Sequence, residues 1–333
     1  MRQDSEFADP LQALAHDLQD DLKIVDELVH QRAASDHVQR IGQVAGHLFT
    51  AGGKRVRPIL TLASARLFNC EGINHIRLAT ALEFIHTTTL LHDDVIDRSS
   101  RRRGRPTANL LWDDKSSILV GDFLFARAFQ LMVATSSVDA LTVLADSSAA
   151  IAEAEVLQLA RQHDTGISEE DYFRIINGKT AALFATGARV GALIAGAGAA
   201  DCRAAEKFGK SLGISYQIRD DLLDYIGTDK SLGKNVGDDF RDRKVTLPLL
   251  RAVQSADVEE RAFWNRVIDR GQQREGDLET ALSILQSRNI LEQVQAEAEA
   301  WSNSAIDELR HLPDHPIRGR LRRLAEFAAH RGV

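Results

Sequence analysis

Apolar residues recur at three- and four-residue spacing along nearly the whole chain, the pattern of helices that bury one face. LQALAHDLQDDLKIVDELVHQ (11–31) predicts an amphipathic helix, and the same spacing predicts helices over 75–92, 121–135, 138–163, 170–195, 203–225 and 290–311. No stretch sustains the alternation of a half-buried strand. The pattern breaks at AGGKRVRP (51–58), RRRGRPT (101–107), GTDKSLGKNVGDD (227–239) and LPDHP (312–316), where glycine, proline and charge collect. No long linker, composition shift or short repeat divides the chain. The expectation is an all-α, single-domain helical bundle over 1–333, with a poorly ordered segment at residues 1–10.

Composition narrows this picture. The 333 residues are 44% hydrophobic, enough for a large core. A formal charge of −7 argues against a nucleic-acid partner. The five arginines between Arg98 and Arg105 are therefore a local feature of an acidic protein. Cys70 and Cys202 form neither a disulfide framework nor a zinc spacing. The N-terminus lacks the apolar core of a secretory signal. ATGARVGALIAGAGAA (185–200) is too short and too weakly apolar to span a membrane. These features predict a soluble, cytoplasmic protein.

The chemistry begins at LLHDDVIDRSSRRRGRPT (90–107). A helix turns about 100° per residue, which puts Asp93, Asp94 and Asp97 on one face. Carboxylates this close repel one another unless a cation neutralises them, and an oxygen-only set suits Mg²⁺. Alone, such a cluster reads first as a solvated acidic helix end. SYQIRDDLLDY (215–225) repeats the spacing at Asp220, Asp221 and Asp224, again in an apolar helical context where unpaired aspartate is costly. Two such helices facing each other would form a metal-lined mouth over an apolar interior.

Anion-binding features accompany the acidic ones. GGKRVRP (52–58) places Lys54, Arg55 and Arg57 at a glycine-rich turn before a helix, whose start favours negative charge. Arg102 and Arg103 follow the first aspartates, and arginine forks match phosphate oxygens. His86, two helical turns before Asp93, shares its face and is either a phosphate contact or a satisfied core histidine. Lys179 and Thr180, in NGKTAALF, follow an expected helix end and are further phosphate candidates. Lys234 and Lys244 flank an acidic loop with Asp238 and Asp239 that reads as a mobile lid.

Taken in order, GGKRVRP, EFIHTTTLLHDDVID, RRGRPT, GDFLFARA, GKTAALF, YQIRDDLLD and GKNVGDDFRDRKVTLP resemble the trans-isoprenyl diphosphate synthases, or polyprenyl synthetases, over nearly the whole chain. The last segment looks most like the bacterial long-chain enzymes that make quinone side chains. The resemblance implies a helical bundle around a deep central cavity, the isoprenoid synthase fold, usually as a homodimer. It implies condensation of an allylic diphosphate with isopentenyl diphosphate, with two or three Mg²⁺ ions per site. Asp93, Asp94, Asp97, Asp220, Asp221 and Asp224 would hold the metal. Arg102, Lys179 and Lys234 would contact the allylic diphosphate. Lys54, Arg57, His86 and Arg103 would hold isopentenyl diphosphate, while Gln217 and Thr180 line the reacting end. The family's glycine before the second lid lysine is Arg243 here, which leaves Lys244 less firmly matched.

In the resembling family, bulky aromatics just before the first aspartates stop chain growth. Here Thr89 and Thr88 stand four and five positions before Asp93, about one helical turn away, and leave room for a product of roughly forty to fifty carbons. Phe123 and Ala126, on the helix expected to face them, are further wall candidates, with Gln130 and Val133 beyond.

Other readings compete. A shorter-chain synthase keeps the same motifs. A terpene cyclase would not need GGKRVRP for a second diphosphate. Glu83 and His86, and again Glu308 and His311, have the Glu-x-x-His spacing of di-iron bundles, but the second pair abuts Pro313. A non-catalytic subunit would lose aspartates, and none is missing. The basic amphipathic C-terminus, RGRLRRLAEFAAHRGV, is a packed terminal helix or a peripheral membrane contact for product release.

Overall fold

The computed structural model describes residues 9–227 and 236–331. Their contacts form two compact units: Met1–Ser148 with Leu183–Gly209 and Glu308–Leu324, and Ala149–Ala182 with Lys210–Asp307 and Ala325–Val333. Among the described residues, regular structure is helical apart from one short hairpin, Arg101–Arg102 paired antiparallel with Arg105–Pro106. The chain is all-α, as its periodicity predicts.

The first unit contains α1 (Pro10–Asp17), α2 (Gln19–Ala33), α3 (Gln39–Thr50), α4 (Val56–Leu67), α5 (Asn74–Ile96), α6 (Ala108–Leu111) and α7 (Asp114–Val133). Asp9 caps α1 by accepting the Leu11 N–H at 2.9 Å, and Pro10 sits where its missing N–H costs nothing. Residues 1–8 of the expected disordered segment lie outside the described residues. The single helix predicted over 11–31 is two helices. The chain bends at Leu18 (φ −112°), and both Leu14 and Leu18 become fully buried.

α5 is apolar almost all round because it packs on several neighbours, α2, α4 and α7 among them. Its last turns carry the first acidic cluster. Gly121 lets α7 approach His92 of α5, since a Cβ there would overlap the imidazole. At Gly191 of α10 (Ala182–Ile194), a Cβ would run into the Thr61 carbonyl oxygen of α4.

The second unit draws its core from α9 (Glu169–Ile176), α11 (Ala199–Ile226) and later helices, with Ile175, Ile176, Ile218, Leu222, Leu250, Trp264 and Val294 buried together. α8 (Val138–Ala160) precedes them. Ser168 caps α9 by accepting the Asp171 N–H at 3.0 Å. Lys179 and Thr180 do not follow a helix end. They lie in a π-turn, Asn177–Ala181, through which α9 continues into α10. Such single-turn bulges carry functional side chains more often than chance would give. The last described helix, Pro316–His330, buries Leu321, Leu324 and Ala328, so it packs as a terminal helix.

Gly191→Ala is expected to destabilise the protein. Alanine gains about 1 kcal/mol of helix propensity, but overpacking against a backbone carbonyl costs about 1–3 kcal/mol. A lower urea midpoint checks this; an unchanged or higher one would show that α4 and α10 separate freely.

Candidate active site

In the first unit two arginine-bearing loops meet. The loop before α4 turns through Gly52 (φ 77°) and Arg55 (φ 50°), and the hairpin turns through Arg103 (φ 51°) and Gly104 (φ 75°). A Cβ on Gly53 would lie 2.9 Å from Arg103 Nη1, so glycine is what lets a guanidinium sit against that backbone. Arg55 pairs with Glu83, and with Asp26 at 3.3 Å, which fixes the loop. The Arg57 guanidinium lies over the Phe184 ring at 5.3 Å, and Lys54 is exposed. A small cleft is lined by Arg55, Glu83, His86, Asp94, Arg102 and Arg103 among others. Burial, then Arg57, Arg103, Arg102 and Arg55, hold the His86 imidazole well below its usual pKa. Three arginines, Arg55, Arg102 and Arg103, thus line one cleft beside His86, groups suited to binding an anion.

The aspartates beside this cleft are unequal. Asp94 is 1% exposed and receives Arg102 through Nη2 at 2.8 Å and Nε at 3.0 Å. An expected metal ligand and an expected phosphate ligand therefore neutralise each other. Asp93 is half-buried, and Asp97 is exposed at the C-cap of α5.

In the second unit, Asp221 is the buried member of its cluster. Its Oδ2 accepts from the Tyr172 hydroxyl at 2.6 Å and its Oδ1 from Gln217 Nε2 at 2.8 Å. Gln217 in turn accepts from Thr180 Oγ1 at 2.7 Å. Burial, then the charge of Asp239, push the Asp221 carboxyl up to about 8; Tyr172 and Gln217 restrain the rise, and Asp220 adds to it. Asp224 accepts the Asp239 N–H at 3.0 Å. Asp220 pairs with Arg331. Lys179 reaches Glu155 at 2.7 Å and also contacts Gln158, both on α8. Lys244 lies 3.2 Å from Asp242. Lys234 falls outside the described residues, while the rest of the segment read as a lid is described from residue 236 on and carries a short helix, Asp238–Arg241.

Arg243 has a physical explanation. Its φ of 56° is left-handed, a conformation glycine adopts freely and arginine adopts at a cost of about 1–2 kcal/mol. Its Nη1 donates to the Ile268 carbonyl at 3.2 Å, which offsets part of that.

Among the wall candidates, Thr88 is buried and donates to the Gly121 carbonyl at 3.0 Å. Thr89 is half-buried and bonds the His86 carbonyl. Phe123 is half-buried under the Arg127 guanidinium, and Ala126 is exposed.

Sequence reasoning missed Tyr172, Glu155, Gln158 and Arg331. The first three sit in ordinary amphipathic helices with no motif signal. Arg331, 8% exposed, stacks on Tyr216 at 3.5 Å, yet in sequence it is one more charge in a basic tail.

The donor sets fit Mg²⁺. They are carboxylates only, and among the described residues no three acidic, histidine or cysteine side chains converge as a ready cage. Magnesium takes one or two carboxylates and completes its octahedron with water and substrate phosphate. Asp93, Asp97, Asp220 and Asp224 have the means to serve it.

His86 also predicts a pH effect. Its folded pKa lies below the ordinary 6.5, so between these values the unfolded chain binds more protons and stability falls as pH drops. His86→Gln removes this contribution. Comparing urea midpoints at about pH 7.5 and about pH 5.5 should show a smaller loss in the variant; equal losses would mean the imidazole is not held neutral.

Comparison with known proteins agrees with these features. The profile of the family described as Polyprenyl synthetase matches residues 38–285. The octaprenyl diphosphate synthase of Escherichia coli (strain K12) is 40% identical over 311 residues, covering 93% of this chain and 96% of that protein. The crystal structure of a decaprenyl diphosphate synthase from Rhodobacter capsulatus is similar at a TM-score of 0.94 and 51% identity, covering 97% of this chain and all of that one (100%). A polyprenyl synthase from Caulobacter crescentus CB15, complexed with calcium and isoprenyl diphosphate, gives a TM-score of 0.92 at 44% identity, covering 97% of this chain and 98% of that one. The chain belongs to the polyprenyl synthetase family.

Proposed function

We propose that the protein is a long-chain trans-polyprenyl diphosphate synthase, condensing an allylic diphosphate with isopentenyl diphosphate to a product of about forty to fifty carbons, for quinone side chains. The observation that carries this is the cleft that brings His86 and Asp94 together with Arg55, Arg102 and Arg103. Similarity to octaprenyl and decaprenyl diphosphate synthases supports the long product. The polyprenyl synthetase domain is taken to extend over 1–333, and the two free cysteines suit a cytoplasmic enzyme.

In this reading Lys54, Arg57, His86 and Arg103 hold isopentenyl diphosphate, and the loop glycines let the backbone approach it. Arg102 turns from Asp94 to the allylic diphosphate. Asp93, Asp94, Asp97, Asp220 and Asp224 serve two or three Mg²⁺ ions, Asp221 supports the second cluster from its buried position, and Lys179, Lys234 and Lys244 add positive charge. Bound Mg²⁺ supplies the charge neutralisation that makes diphosphate a leaving group. Thr180 and Gln217 hold the reacting end through their mutual hydrogen bond. Apolar side chains keep water from the electron-deficient carbon. Among the described residues no side chain is an obvious base, so the final proton goes to the departing diphosphate. Thr88, Thr89 and Phe123 line the path of the growing chain, while Ala126, the fourth wall candidate, is exposed in the apolar stripe of α7.

The partner is a second copy of the chain. α7 exposes Ile118, Leu119, Phe129 and Val133, and α6 exposes Leu110 and Leu111. An outward apolar stripe of this extent marks an interaction surface. α7 is also the one described helix long and apolar enough to cross a membrane by length and composition; a dimer contact accounts for the same residues.

Purified protein incubated with farnesyl diphosphate, labelled isopentenyl diphosphate and Mg²⁺ should give a long product by chromatography. Asp93→Asn and Asp220→Asn should each lose at least about a hundredfold in rate, and Thr89→Phe should shorten the product. Turnover without isopentenyl diphosphate, or full activity in both aspartate variants, would overturn the reading. Light scattering should give twice the chain mass, with Leu119→Asp shifting it toward monomer; a monomeric wild type would refute the dimer.

A further inference from the structure

We propose that Tyr172 is a positioning residue for the second acidic cluster: its hydroxyl fixes Asp221 so that the cluster presents a defined face to the metal. The inference rests on the metal-dependent reading above and names a residue outside the motifs that suggested it.

The geometry carries it. The Tyr172 hydroxyl lies 2.6 Å from Asp221 Oδ2, within the short range of an O–H donor on a carboxylate. Both groups are buried, Tyr172 at 3% and Asp221 at 5% exposed, so no solvent replaces the bond if the hydroxyl is removed. The other oxygen of Asp221 is taken by Gln217. Gln217 and Asp221 are one turn apart on α11, and Gln217 is held by Thr180. Tyr172 and Thr180 belong to one continuous segment, α9 running into the π-turn. That segment grips α11 at two points, one directly and one through an amide.

With both oxygens committed to protein donors, Asp221 is an anchor whose orientation is set before any ligand arrives. Asp220, its neighbour on α11, is exposed enough to meet a metal directly, with 46% of its side chain accessible. Holding Asp221 sets the rotation of this helical turn and hence the direction of Asp220 and Asp224. Lys179, next to Thr180 in the π-turn, is placed by the same segment. A tyrosine that only packed would do none of this. The Tyr172 ring does pack, edge-on to Phe173 at 5.3 Å, so the test must separate hydroxyl from ring.

Tyr172→Phe keeps the ring and deletes the hydroxyl. One readout needs no prenyl transfer: the rise in melting temperature produced by MgCl₂ with inorganic diphosphate. The variant should show less than about half the wild-type rise, because lost support of a metal-binding group costs about tenfold or more in affinity. In the prenyl assay, the half-saturating Mg²⁺ concentration should rise about tenfold while the KM for isopentenyl diphosphate stays the same. A wild-type melting response together with wild-type Mg²⁺ dependence would overturn the proposal, as would equal weakening of Mg²⁺ and isopentenyl diphosphate. If Tyr172→Phe does not fold, Asp221→Asn decides. Its amide oxygen still accepts from Tyr172, so it should keep most of the melting response that Asp220→Asn loses; equal loss in both would make Asp221 a direct ligand and refute the anchor. Failure of the wild type to make a prenyl product would refute the proposed function and leave the melting comparison standing.

Discussion

A carboxylate buried in a helical protein must be answered by a cation or by hydrogen-bond donors, and the structure depends on how each aspartate is answered. Asp94 is met by a two-pronged arginine, Asp221 by a phenol and an amide, and Asp224 by a backbone N–H, while the exposed Asp220 pairs with Arg331. An unanswered buried charge costs several kcal/mol. The differences in partner matter more than the shared aspartate spacing. Donors that are themselves charged and mobile can be exchanged for a ligand; buried neutral donors stay.

The binding groups therefore rest neutralised by one another. Arg102 lies on Asp94, and Lys179 lies on Glu155. A metal and a diphosphate arriving together would take both partners of the first pair at once, a carboxylate for the metal and a guanidinium for the phosphate. Either ligand alone would leave one member of a half-buried pair without its counter-charge, which is unfavourable. Such pairing favours joint binding of cation and anion over binding of either alone, a coupling that requires no moving part.

The sequence was most legible where physics is local. Helical periodicity, glycines at turns and paired aspartates are all properties of a few consecutive residues, and they located the helices, the loop before α4 and both acidic clusters. The break at Leu18 was not legible, because LQALAHDLQDDL keeps its apolar spacing through the bend. Nor was the π-turn at Lys179, since one extra residue in a turn leaves no compositional mark. Tyr172, forty-nine positions from Asp221, and Arg331, more than a hundred from Tyr216, act through contacts that only the fold creates. Arg243 shows the reverse case: a departure from the family motif that loosens the match at Lys244 in sequence, yet the backbone there keeps the left-handed shape that glycine would give.

That last case bears on how the acidic loop is held. A motif glycine can be kept for its lack of a side chain or for its backbone freedom. At Gly53 the lack of a side chain is what counts, because Arg103 occupies the space. At position 243 only the backbone counts, and arginine supplies it while adding a bond to the Ile268 carbonyl. The Lys244 N–H reaches the Asp239 carbonyl at 2.8 Å, so the turn through Arg243 closes back on the residue whose own N–H holds Asp224. The substitution thus preserves the one feature the acidic cluster needs from this loop, a backbone donor aimed at a buried carboxylate.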